Sequence, residues 1–182
     1  MRRHPVYIVI DVAECNAKVC AMQVQNGITD VIKSFKGNPY ALETAWVSII
    51  SFSNEGVSVF PLTEVSNLKC PTIRIGGSKG LGYAIDAVTK EIVSSYIDCD
   101  ASSDNKPDCS PKVLLFTDGE CNDDVNGCLD MWRDAPPHKS ELYAITLGKY
   151  INSPQLACIA QCVRRQVDCS VSTWTKLFFM FS

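Results

Sequence analysis

Two aspartates close apolar runs in this chain. Asp11 follows VYIVI (Val6 to Ile10), and Asp118 follows VLLFT (Val113 to Thr117). Paired strand-end carboxylates are used with Mg²⁺ by phosphatase-like hydrolases and phosphotransfer enzymes, which is one reading of this pair. Against it, Asp11 is not followed by a nucleophile pattern of the DxDx[TV] kind. Between the two aspartates lies RIGGSKGLG, where Gly76, Gly77 and Gly80 resemble a phosphate-cradling loop. The loop has neither a GK[ST] ending nor a GxGxxG spacing, so it does not point to a nucleotide. Ten cysteines offer a third chemistry, a redox or metal sensor. Cys158 and Cys162 are four apart, Cys15 and Cys20 five apart, and no CxxC pair exists. Zinc ribbons show close pairs, so the cysteines are expected to be mainly free thiols behaving as small hydrophobes. His4 and His138 lie far apart in sequence, with no Ser, Cys or Asp arrangement that suggests a dyad.

These residues need elements to position them. The 182 residues fit one domain, 1–182, with a full core. Hydrophobic residues at 46% and charged residues at 20% are those of a globular protein. A net charge of −3 without a basic run gives no surface for nucleic acid or anionic lipid. The apolar run after MRRHP is too short for a signal-peptide core or a membrane span, so the cytoplasm is the expected compartment.

Apolar runs alternate with amphipathic stretches. VYIVI reads as a buried strand, and residues from Cys15 to Lys33 as a helix weakened by Gly27. Thr44 to Phe52 is a second strand, joined through Asn54, Glu55 and Gly56 to VSVFPL as a hairpin, with Pro61 suiting an edge strand. Leu81, Ile85, Val88, Ile92, Val93 and Tyr96 keep helical spacing. KVLLFTDGE is a strand, Gly127 to Asp134 a short helix, and ELYAITLG a strand. SPQLACIAQCV is expected to be a helix with Ser153 as N-cap and Pro154 at the first position. VDCS is expected to be a last short strand, and STWTKLFFMFS a terminal amphipathic helix. Trp46 and Trp174 are expected in the core, whereas Trp132 is the best candidate for an exposed aromatic. The alternation predicts an α/β fold, doubly wound: a mostly parallel sheet of about six strands with one antiparallel edge strand and helices on both faces. Sites in such sheets form beyond the carboxyl ends of the strands, where Asp11, Asp118 and the GGSKG loop should converge.

An apolar strand ending in Asp, a GGS loop opening a helix and a strand ending in TDG, in that order, resemble a von Willebrand factor type A domain with its metal-ion-dependent adhesion site. MRRHPVYIVID, NPYALETAWVSIISF, VFPLTE, LLFTDGE and TWTKLFFMFS resemble the cytoplasmic bacterial members associated with tellurium resistance. The resemblance implies a non-catalytic scaffold or adaptor domain that binds partner proteins in such a stress-response system. The family's metal ligands are an Asp-x-Ser-x-Ser loop, a Thr and a later Asp. Carried over, Asp11, Ser78 and Asp118 match the first Asp, the Thr and the last Asp, while Ala13 and Cys15 stand at the two Ser positions. Alanine brings no donor and cysteine a soft one, whereas Mg²⁺ wants about six hard oxygens. The implied site is therefore degenerate, and Mg²⁺ binding is expected to be weak. Glu14, Glu120, Asp123 and Asp124 flank it and could offer an acidic rim to a basic partner surface.

Overall fold

The computed structural model describes residues 2–12, 17–53, 56–73, 80–97, 106–117, 126–134, 140–147 and 162–166. Among these, β1 (His4–Asp11) lies inside a six-stranded sheet, flanked by β2 (Ala45–Ser53) and β4 (Lys112–Thr117), both parallel to it. Outward from β2 comes the antiparallel edge strand β3 (Gly56–Glu64). Outward from β4 come β5 (Glu141–Leu147) and β6 (Cys162–Gln166), both parallel. The order β3-β2-β1-β4-β5-β6 is that of a doubly wound sheet with its reversal point between β1 and β4.

The unbroken apolar run of β1 follows from helices on both sheet faces. Its residues alternate. Val6, Ile8 and Ile10 pack with Ile28, Val31, Ile32 and Phe35 of helix α1 (Ala17–Gly37) and with Ala41 of α2 (Pro39–Thr44). Tyr7 and Val9 pack on the opposite face with Leu81, Ala84, Ile85, Val88 and Ile92 of α3 (Leu81–Ser95). Trp132 of α4 (Asn126–Asp134) also packs against that second cluster. It is half-buried, not the exposed aromatic that its polar neighbours in DMWRD suggested. Trp46 is only half-buried, its ring capped by the Arg3 guanidinium at 4.8 Å from the centroid. Trp174 lies outside the described residues.

The hairpin forms as its residues dictate. Gly56 begins β3 with φ +145°, a conformation that favours glycine. Pro61 has no N–H for the ladder, and the β2–β3 register slips around it, pairing Val47 with Thr63 but Ile49 with Phe60. The Leu62 N–H donates instead to Glu91 Oε1 of α3 at 2.9 Å.

Three local readings differ from the structure. Helix α1 runs on to Gly37, past the Lys33 expected from its apolar spacing. Helix α2 was not anticipated, although Asn38 caps it by accepting from the Ala41 N–H at 3.0 Å and Pro39 occupies its first turn. Six residues are too few for a periodicity to show. Finally, Cys162 and Val163 belong to β6, CVRRQ, where a helix was expected; VDCS lies outside the described residues. The free edge of β5 decides this, pairing Tyr143 with Cys162 and Ala144 with Val163. Pairing context overrides local preference in strands. The expected helix start at Ser153 and the terminal STWTKLFFMFS helix lie outside the described residues. No helix among the described residues is long and apolar enough to cross a membrane.

A polar network pins α3 to the amino end of β1. The Asp108 side chain is fully buried and takes two hydrogen bonds from Arg3, Nε to Oδ1 at 2.7 Å and Nη2 to Oδ2 at 2.6 Å. It also accepts from the Ile97 N–H at 2.9 Å. Arg3 donates onward to the Ser95 carbonyl at 2.8 Å, and this hydrogen bonding to Asp108 raises the Arg3 pKa above its usual value. Tyr7, fully buried, shares a 2.8 Å hydrogen bond with the Ser95 hydroxyl. With its carboxyl end held there, a 15-residue helix rising about 1.5 Å per residue places the amino end of α3, at Gly80 and Leu81, by the carboxyl ends of the strands.

Burial pushes the Tyr7 hydroxyl up to about 12, from a usual value of 10. The native state thus keeps a proton that the unfolded chain gives up above pH ~10. Stability from this group is complete below that pH and is lost as pH rises to about 12. The loss is about 2–3 kcal/mol. Urea titrations at pH 8, 10 and 11.5 should show the decline, and Tyr7→Phe should reduce it. An unchanged decline in the variant would assign it to other groups.

Candidate functional site

The reversal of strand order between β1 and β4 opens a crevice at their carboxyl ends, where doubly wound sheets place their ligands. Asp11 and Thr117 are the last residues of these neighbouring strands. The ladder pairs Ile10 with Phe116, so the next step along each strand sets Asp11 beside Thr117. The Thr117 hydroxyl donates to Asp11 Oδ2 at 3.0 Å. Thr117 itself is buried and Asp11 is half-buried, so this carboxylate stands at the boundary between sheet and solvent with one oxygen held from the neighbouring strand. On the other side of β1, the Val12 N–H donates to the Phe52 carbonyl at 3.1 Å, fixing the direction in which the chain leaves β1. The amino end of α3 arrives at the same edge, so the positive end of its helix dipole lies there.

Of the residues singled out from the sequence, Asp11 is described and sits at this edge. Asp118 follows Thr117 directly and Ser78 precedes Gly80 by two residues, but both lie outside the described residues. So do Ala13, Glu14, Cys15, Glu120, Asp123 and Asp124. Sequence reasoning missed Thr117. Its position within TDG was visible, but its role depends on a hydrogen bond between residues 106 apart.

Of the positions that the resemblance assigns to metal ligands, Ala13 has no side-chain oxygen and Cys15 has a sulfur, so the set is poor in the hard oxygens that Mg²⁺ wants. Among the described residues no group of three His, Cys, Asp or Glu side chains is placed to hold a metal ion.

No protein-family model matches the chain, and no curated protein matches it. Solved structures do. A von Willebrand factor type A protein from Catenulispora acidiphila matches with a TM-score of 0.70 at 13% identity, over 99% of this chain and 42% of that one. Proximal thread matrix protein 1 from the mussel byssus matches with a TM-score of 0.66 at 19% identity, over 97% and 47%. The pilus adhesin SpaC from Lactobacillus rhamnosus GG, in its open conformation, matches with a TM-score of 0.72 at 10% identity, over 100% and 30%. The chain spans less than half the length of these solved chains. At these identities the likeness shows the fold, that of a von Willebrand factor type A domain.

Proposed function

We propose that this chain, on its von Willebrand factor type A fold, is a non-catalytic protein-binding domain whose partner docks at the carboxyl edge of the sheet. The observation that carries the reading is the Asp11–Thr117 contact at the reversal point of the sheet. It presents a carboxylate, held in one orientation, where this architecture binds ligands. Asp118 and Ser78 complete the edge by sequence position. By sequence position Glu14, Glu120, Asp123 and Asp124 flank that edge, and their charge matches a basic partner surface. The adhesin and the matrix protein among the structural neighbours support a binding role in general. The narrower assignment to a bacterial tellurium-resistance or stress-response system rests on the sequence resemblance alone. The expected cytoplasmic setting likewise rests on the sequence reading.

In this reading Mg²⁺ binds weakly, because two first-loop positions lack hard oxygens. Ala13→Ser with Cys15→Ser restores both. An ion that binds only the folded state raises its stability by mass action, so the double variant should melt higher in Mg²⁺ and give a calorimetric binding signal that the native chain lacks. Micromolar Mg²⁺ binding by the native chain would overturn the degenerate-site reading. The docking edge is tested by affinity capture from the native host. Partners retained by the native chain should be lost with Asp11→Asn or Asp118→Asn, and their undiminished retention by both variants would move the interface elsewhere.

A further inference from the structure

At the amino end of the sheet, away from the Asp11 edge, the fold sets a thiol against an imidazole. His4 opens β1, and Cys109 stands three residues before β4. The Cys109 N–H donates to the Arg3 carbonyl at 2.9 Å, which seats Cys109 beside the first residue of β1. Its Sγ lies 3.4 Å from His4 Nε2. The Tyr40 hydroxyl of α2 reaches the same nitrogen at 3.0 Å, with the two rings edge to face at 5.6 Å. Cys109 is a free thiol, and both it and His4 are half-buried, so small molecules can approach. The sequence suggested no partner for His4. The pairing joins residues 105 apart and exists only in the folded sheet.

Burial, with Lys112 and Arg2 nearby, lowers the His4 pKa below its usual value, so the ring is neutral near neutral pH. With its proton on Nδ1, Nε2 faces two X–H groups, a thiol and a phenol. Arg2 ahead of β1 and Lys112 on β4 supply positive charge to the pair. The adjacent acid, Asp108, is engaged by Arg3 at 2.6 Å. A nucleophile with a base in hydrogen-bond reach and cations around it is the arrangement of a reactive thiol.

We infer that Cys109 is a thiol modification site that takes up low-molecular-weight disulfides with His4 as its base. His4 Nε2 accepts the Cys109 proton, and Sγ attacks one sulfur of the disulfide. That S–S bond breaks as the new Sγ–S bond forms, and the departing thiolate recovers the proton from the imidazolium. Cys109 is oxidised to a mixed disulfide, and half of the reagent is reduced to a thiol, so the reagent itself is the oxidant.

Cys70 is the internal comparator. It is also a free, half-buried thiol, but its sulfur is held by Gln25 Nε2 at 2.8 Å and Thr29 Oγ1 at 3.2 Å. The folded native protein is incubated with limiting oxidised glutathione, digested without reductant and mapped by mass spectrometry. Cys109 should be modified faster than Cys70 by roughly a hundredfold or more, the lower end for a positioned base. His4→Gln should slow Cys109 by a similar factor while leaving Cys70 unchanged, with circular dichroism confirming that the variant is folded. Equal rates at the two thiols of the native protein would overturn the inference without recourse to any variant. So would a Cys109 rate that His4→Gln leaves unaltered.

Discussion

Arg3→Ala is expected to destabilise the protein by about 3–5 kcal/mol, the usual cost of stranding one member of a buried ion pair. The Asp108 side chain is fully buried, whereas Arg3 keeps 20% of its side-chain exposure. The charge left behind by Arg3→Ala is therefore the one that water reaches least, and Ile97 N–H would be its remaining described donor. Asp108→Ala should cost less, since the guanidinium it strands can turn toward solvent. The double variant should cost less than the sum of the singles by about 2 kcal/mol, as expected for residues in one network. Urea unfolding measures all three, with a lower midpoint and an unchanged slope if the native fold persists. Additivity of the two singles to within about 0.5 kcal/mol would show that the pair is not energetically coupled. Against a typical total of about 5–15 kcal/mol, the network is a substantial part of what holds α3 across the sheet, and through α3 the loop edge at its far end.

Phe116→Ala is expected to cost about 3–5 kcal/mol, the range for aromatic truncation in a core that collapses only in part. Phe116 is 2% exposed in β4, where it belongs to the core cluster on the α1 face. The cavity would open on the α1 face of β4, one residue before Thr117, whose side chain lies on the other face and holds Asp11; a shift of the strand end should weaken partner capture at the carboxyl edge along with stability. Val57→Ala and Val59→Ala are the matched controls. At 36% and 42% exposure on the edge strand, each should stay within about 0.5 kcal/mol of the native protein. A Phe116→Ala cost no larger than that of these controls would mean that β4 is not packed as described.

The local sequence determined much of this protein. Strands buried on both faces must be apolar without alternation, and VYIVI and VLLF show it. Pro61 can lie only where its missing N–H is tolerated, and it sits at the irregularity of edge strand β3. Apolar spacing from Leu81 to Ile92 fixes the face that α3 buries. Asn38 and Pro39 wrote the start of α2, in a helix too short to announce itself by period. Asp11, closing the run VYIVI, already marked the carboxyl edge. The tertiary structure alone decided which distant groups meet. The order β3-β2-β1-β4-β5-β6 brings Thr117 to Asp11, Arg3 to Asp108 and His4 to Cys109. It also gives CVRRQ a strand edge to pair with, which its own periodicity did not foretell. The physical reason is common to all four. Side-chain period and turn chemistry are local, encoded over a few residues. Strand adjacency is settled by burying two faces of one sheet at once, and no stretch of sequence carries that condition by itself.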